Sequence, residues 1–258
     1  MLKKIGVSIL SVFITVIIFS GCATEYNLAT RQQETLFYDT QKEVDIGDAV
    51  AAKVEEQFKI ITDIDVTERL QKILDRVVEV CDRRDIVYFI KALDDEEVNA
   101  VSLPGGHIYV FKGLIDEAET DDQLAGVIAH EVGHVTAKHG IKRLQAMYGA
   151  MLLQIAAATQ GGRAAAGVGL ALNSLFSEYS QQDEFTADKL AVKYLKKAGY
   201  KPEGMLEFLY KLKEKQEKES IHPFSYWRTH PHISKRIATV NQEIKGELQF
   251  KDYLNLMD

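Results

Sequence analysis

Apolar residues recur at three- and four-residue spacing over 41–58 and again over 66–81 ("RLQKILDRVVEVC"), the period of helices with one buried face. The period then changes. "DIVYFIKAL" (85–93) and "VNAVSLPGGHIYVFKG" (98–113) are rich in β-branched and aromatic residues, and the Pro104-Gly105-Gly106 turn makes the second a hairpin. A further helix is bounded by a capping-box pair, Thr120 and Gln123, with Asp121 and Asp122 at its positive end and Gly140 as its stop. Residues 147–177 are rich in Ala, Leu and Gly and are broken by "QGGR" at 160–163. Each half is about 13 residues, too short to span a bilayer. This predicts a helical hairpin that packs over neighbouring helices or touches a membrane surface. Helical patterns return from 181 to 198, ending at Gly199, then from Pro202, a favoured first helical residue, into the solvated run "KLKEKQEKES". The last helix begins after Pro231. Residues 23–40 show no clear period and read as a tether.

The first 22 residues follow another logic. "MLKKIGVSILSVFITVIIFSGC" places Lys3 and Lys4 before an apolar run and small residues before Cys22, the pattern of a secretory signal. Its "FSGC" ending resembles a bacterial lipobox, with Phe19 where leucine is usual. On that resemblance residues 1–21 are a lipoprotein signal peptide, Cys22 is acylated, and 22–40 tether a domain over 41–258. Acyl chains contribute about 0.8 kcal/mol per buried CH₂, enough in combination to hold the chain at a membrane. Ala23 after the cysteine implies outer-membrane sorting. Cys81 then remains as a single thiol, so no internal disulfide is expected and Cys81 is read as a small buried hydrophobe.

Composition narrows the partners. The 258 residues, 46% hydrophobic and 27% charged, are those of a globular protein able to bury a sizeable core. A net charge of −7 with no basic run argues against a nucleic-acid partner.

The chemistry concentrates in "VIAHEVGHVTAKHG" (127–140). Positions four apart on a helix differ by about 40° round the axis, so His130 and His134 project from one face and both can reach one zinc. Glu131, about 100° round, can face a metal-bound water as a general base. A shuffle of this composition yields HExxH in only about one or two chains per hundred. His139 lies five residues beyond His134, off the ligand face, and is read as a helix cap or a support for the ligands. A catalytic zinc takes a third protein ligand and keeps one position open. Glu184 and Asp188 in "SEYSQQDEFTADKLAVKYL" share one face of a buried-looking helix. Glu184 can reach the metal while Asp188 orients His130 or His134.

"HEVGH" followed by "EFTAD" resembles the HtpX/Oma-type zinc metallopeptidase family, gluzincins of pattern HExxH…ExxxD. "NAVSLPGGHIYVFKGLI" and "THPHISKRI" resemble two further family segments, so the likeness covers nearly the whole mature chain, closest to the periplasmic, lipid-anchored BepA and LoiP type. The resemblance implies an α+β fold: a mainly helical zincin-like domain with a small β-sheet beside the active-site helix. It implies one zinc per chain on His130, His134 and Glu184, Glu131 as base and Asp188 as supporting carboxylate. It also implies an active-site histidine at His230, with Arg236 holding that segment or a carboxylate. Relatives often show "YSR" where this chain has Tyr179-Ser180-Gln181; the missing charge is absent here, or comes from Arg228 or Arg236.

The expected function is a lipid-anchored zinc endopeptidase acting on unfolded or misfolded envelope proteins, facing the periplasm. An extended substrate would add to a sheet edge at Asn99 and Ala100; otherwise that strand is internal. The alternative function is an assembly or holding factor whose zinc site is latent, with His230 filling the open position. The sequence leaves the oligomeric state open.

Overall fold

The computed structural model describes residues 23–147, 179–218 and 225–246. The expected signal peptide, Cys22 and, save its first residue, the expected apolar hairpin at 147–177 lie outside the described residues.

The fold is α+β, as expected, with helices dominant. Strands β3 (Ile60–Ile61), β4 (Phe89–Leu93), β5 (Ala100–Ser102) and β6 (His107–Phe111) make one sheet in the order β3-β4-β6-β5. β4 and β6 run parallel; the other pairs are antiparallel. The predicted hairpin is β5–β6, joined by a helical turn over Pro104–Gly106. Gly105 there has φ 76°, and a Cβ on it would stand 2.9 Å from Val44 Cα. The turn therefore seats directly on α1 (Thr40–Gln57), a close approach that only glycine permits.

Helix α2 (Ile64–Val80), capped by Asp63, buries Leu70, Ile73, Leu74 and Val77, each contributing about 1.5–3 kcal/mol of transfer free energy. After β6 come the short α3 (Lys112–Glu117) and α4 (Asp121–Thr136), whose first turn is held by Thr120 Oγ1 accepting from Gln123 N at 3.2 Å. α4 is the central element, buried from Gln123 to Thr136. Helices α2, α6 (Gln181–Ala198) and α7 (Pro202–Lys218) pack around it, and β5 lies alongside. The last described elements are α8 (Tyr226–Thr229) and α9 (Ile233–Lys245). Ser180 and Asp183 cap α6 reciprocally, and Gly199, at φ 77°, ends it.

Two elements differ from the expectation. α4 ends at Thr136 and not at Gly140; Lys138 takes φ 58° and helix resumes as α5 over 139–147. Side chains from distant segments end it by occupying its last carbonyls. Arg83 Nη1 donates to Val135 O at 3.0 Å, and Asn27 Nδ2 to Thr136 O at 3.3 Å. Gly140 instead lies against the Pro104 ring. Residues 23–36, read as a tether, form an antiparallel hairpin of β1 (Ala23–Asn27) and β2 (Gln32–Leu36). Its alternation is hidden in the sequence because the face turned to the protein carries Asn27 and Glu34, buried polar residues satisfied by distant partners.

Candidate metal centre

α4 presents His130, Glu131 and His134 along one side. Gly133, between them, lets α6 come close: a Cβ there would stand 2.9 Å from Ala187 O and 3.1 Å from Ala187 Cα. That approach delivers Glu184. His230, directly after α8, completes a buried cluster of four donors whose ligand atoms all lie within 4.8 Å of one another. His130 Nε2 is 3.0 Å from His134 Nε2 and 3.4 Å from Glu184 Oε2; His134 Nε2 is 3.3 Å from Glu184 Oε1. His230 Nδ1 lies 3.1 Å from Glu184 Oε1 and 3.4 Å from His130 Nε2. A tetrahedral ion with bonds of 2.0–2.1 Å sets its ligands about 3.3–3.4 Å apart, and an imidazole–carboxylate set suits zinc. The donors present fit that ion.

The donors are held from behind by charge. Asp188 Oδ1 lies 2.9 Å from His130 Nδ1, so that Nδ1–H donates to it and the Nε2 lone pair faces the cluster. Arg236, fully buried, reaches Asp188 at 2.8 Å and Glu184 Oε2 at 3.0 Å, and donates to Tyr226 Oη at 3.2 Å. Burial would raise the Glu184 carboxyl; Arg236, His230 and the two imidazoles hold it well below the usual carboxylate range. Burial and Arg236 oppose protonation of His130, but Asp188 and Glu184 outweigh them and lift it to about 8. Burial keeps His134 well below an ordinary histidine. His139 stands outside the four donors: its Nδ1 is 2.9 Å from His134 Nδ1, and burial takes it down to about 4. Of the two arginines that could supply the missing family charge, Arg236 is in the site and Arg228 is exposed.

Glu131 is fully buried and asymmetric. Its Oε2 accepts from Ser102 Oγ at 2.7 Å, while Oε1 accepts no hydrogen bond among the described residues and faces His230 Nε2 at 3.4 Å. β5 is an edge strand, and Ala100 begins it with Asn99 just before. Both are buried. The amide of Ala100 donates to Asn99 Oδ1 at 2.8 Å and its carbonyl accepts from His230 Nε2 at 3.3 Å. Asn99 Oδ1 also accepts from Thr229 Oγ1 at 3.2 Å, and its Nδ2 meets no partner among the described residues.

Sequence reasoning missed three contributors. Ser102 holds the Glu131 carboxylate; Tyr179 stacks on His134 with centroids 3.9 Å apart; Tyr226 stacks on His230 at 4.5 Å. Only Tyr179 had a local signal, its place just ahead of the α6 cap.

Comparison with known proteins gives a consistent result. A family model described as peptidase family M48 matches residues 65–244. The metalloprotease LoiP of Escherichia coli (strain K12) is 30% identical over 223 residues, covering 83% of this chain and 83% of that protein. The beta-barrel assembly-enhancing protease of the same organism is 26% identical over 208 residues, 76% of this chain. The match spans 42% of that protein, so this chain corresponds to less than half of its length. The mitochondrial metalloendopeptidase OMA1 of Schizosaccharomyces pombe is 25% identical over 174 residues. Among the described residues no helix is long and apolar enough to cross a membrane.

Proposed function

The chain belongs to peptidase family M48, and on that premise we propose that it is a lipid-anchored zinc metalloendopeptidase cleaving unfolded or misassembled cell-envelope proteins. His130, His134 and Glu184 would hold zinc, which would supply Lewis acidity towards water and a peptide carbonyl. The residues do the rest. Glu131 takes the proton of the attacking water on Oε1, the oxygen that Ser102 leaves uncommitted, and returns it to the leaving amine. Ser102 keeps the other carboxylate oxygen fixed, so the base enters the reaction in one orientation. His230 Nε2, 3.4 Å from Glu131 Oε1, is placed to donate to the oxygen that gains charge. The observation that carries this reading is the pairing of a compact four-donor cluster with an adjacent buried carboxylate, one of whose oxygens accepts no hydrogen bond among the described residues. Structural zinc sites have no use for such a neighbour.

The reading of envelope proteins as substrates draws support from the likeness to a beta-barrel assembly-enhancing protease, and that of a periplasm-facing anchor at Cys22 from the leader. One observation favours a second reading, a holding factor with a latent site. His230 Nε2–H donating to the Ala100 carbonyl leaves the Nδ1 lone pair aimed into the donor cluster, where it would act as a fourth ligand.

Digestion of unfolded casein by the wild type and Glu131→Gln at equal, measured zinc content separates the two. Wild-type cleavage with a silent, zinc-replete mutant supports the peptidase. Zinc in both with cleavage in neither supports the latent site. Absence of zinc from both removes the basis of either.

A further inference from the structure

The N-terminal hairpin has two unlike faces. Cross-strand partners share a face, and the register pairs Glu25 with Glu34 on one side and Tyr26 with Gln33 and Thr24 with Thr35 on the other. The first face is tied to the protein: Lys138 Nζ reaches Glu25 at 2.6 Å, Lys142 Nζ reaches Glu34 at 2.5 Å, and Asn27 reaches the end of α4. The second face carries no charge, in a chain of net charge −7. Tyr26 is 54% exposed on it, Phe37 (52%) follows with the same parity as Thr35, and Leu28 (67%) stands in the adjoining turn.

What covers this face is indicated by the leader. The lipobox ends at Cys22, and β1 begins at the next residue. A lipid on that thiol would have no spacer, since one extended residue advances only about 3.3 Å. We propose that the uncharged outer face of the hairpin lies on the bilayer, its Tyr26, Leu28 and Phe37 side chains entering the interface. Lipidation then orients the catalytic domain and does not merely tether it. Because the other face is bonded to the end of the HExxH helix, the active site takes a fixed height and direction over the membrane. This rests on the reading of Cys22 as the lipidated residue.

The test uses the full chain expressed with its own leader, extracted and reconstituted in phosphatidylethanolamine–phosphatidylglycerol vesicles with brominated acyl chains. Phe37→Trp adds a reporter on the proposed face. Ile64→Trp adds one at the other end of α2, about 25 Å from the hairpin side by helix rise. Trp227 is buried and common to both. The expected result is loss of about half of the added emission at 37 and none at 64, since interfacial side chains reach about 5–10 Å into the headgroup–acyl boundary. Equal quenching at both positions in an acylated, vesicle-bound chain overturns the docking while leaving the anchor standing. Cross-linking of two copies through this face in that case would assign it to a dimer. A chain that carries no acyl group and does not stay with vesicles overturns the anchor and the docking together.

Discussion

Ser102 joins the sheet to the chemistry: a hydroxyl on edge strand β5 fixes one oxygen of a carboxylate 29 residues away on α4. Ser102→Ala removes that bond and leaves Glu131 free to rotate in its pocket. The expected effect is about a tenfold loss in kcat, roughly 1.4 kcal/mol at the transition state, with KM and zinc content unchanged. Ser102→Thr, which keeps the hydroxyl, should recover most of the rate. Equal losses in the alanine and threonine variants, or a loss tracking zinc content, would make Ser102 merely structural. At this scale the sequence was informative where partners share an element. The spacing of His130, Glu131 and His134, and of Glu184 and Asp188, can be read because a helix converts separation into direction. The link from Ser102 to Glu131, the stacking of Tyr226 on His230, and the hold of Arg236 on two carboxylates arise from tertiary contacts, which leave no local period.

Gly133 shows how one small residue governs the meeting of two elements. Glu184 can join two histidines from another helix only if α4 and α6 nearly touch, and the backbone of Ala187 fills the space a Cβ would need. Gly133→Ala improves helix propensity by up to about 1 kcal/mol. Overpacking against backbone typically costs about 1–3 kcal/mol and should prevail. The expected outcome is a lower denaturation midpoint together with weaker zinc binding, because the helix shift moves Glu184 away from His134. A variant of unchanged stability and zinc affinity would show that the helices have room to part. Two helix starts were legible in the sequence, since Thr120 and Pro202 act locally. The end of α4 was not, because Arg83 and Asn27 close it from 52 and 109 residues away. The β1–β2 hairpin was hidden for a related reason: its buried face carries Asn27 and Glu34 beside Leu36, so hydrophobic alternation could not announce it.

Across the whole molecule, the candidate ligands come from α4, α6 and the segment after α8, so a bound zinc would tie together regions 100 residues apart in sequence. A ligand bound only by the native state stabilises it by about 4 kcal/mol when present at a thousand times its Kd. For a domain of this size each kcal/mol moves Tm by about 2–4 °C. Chelation should therefore lower Tm by roughly 10 °C, and Glu131→Gln, which removes no ligand, should show the same drop, while His134→Ala should show little. The drop should also depend on pH, with a definite sign. His134 is held neutral by burial, ready to ligate, but His130 without metal titrates near 8 because Asp188 favours its charged form. Binding zinc must displace that proton, so zinc affinity falls as pH is lowered below about 8. The difference in Tm between zinc-loaded and chelated protein should be largest at mildly alkaline pH and shrink towards pH ~6. Asp188→Asn lowers the proton affinity of His130 and should flatten that dependence in whatever fraction folds. A Tm difference that grows on acidification would mean that His130 is not a ligand.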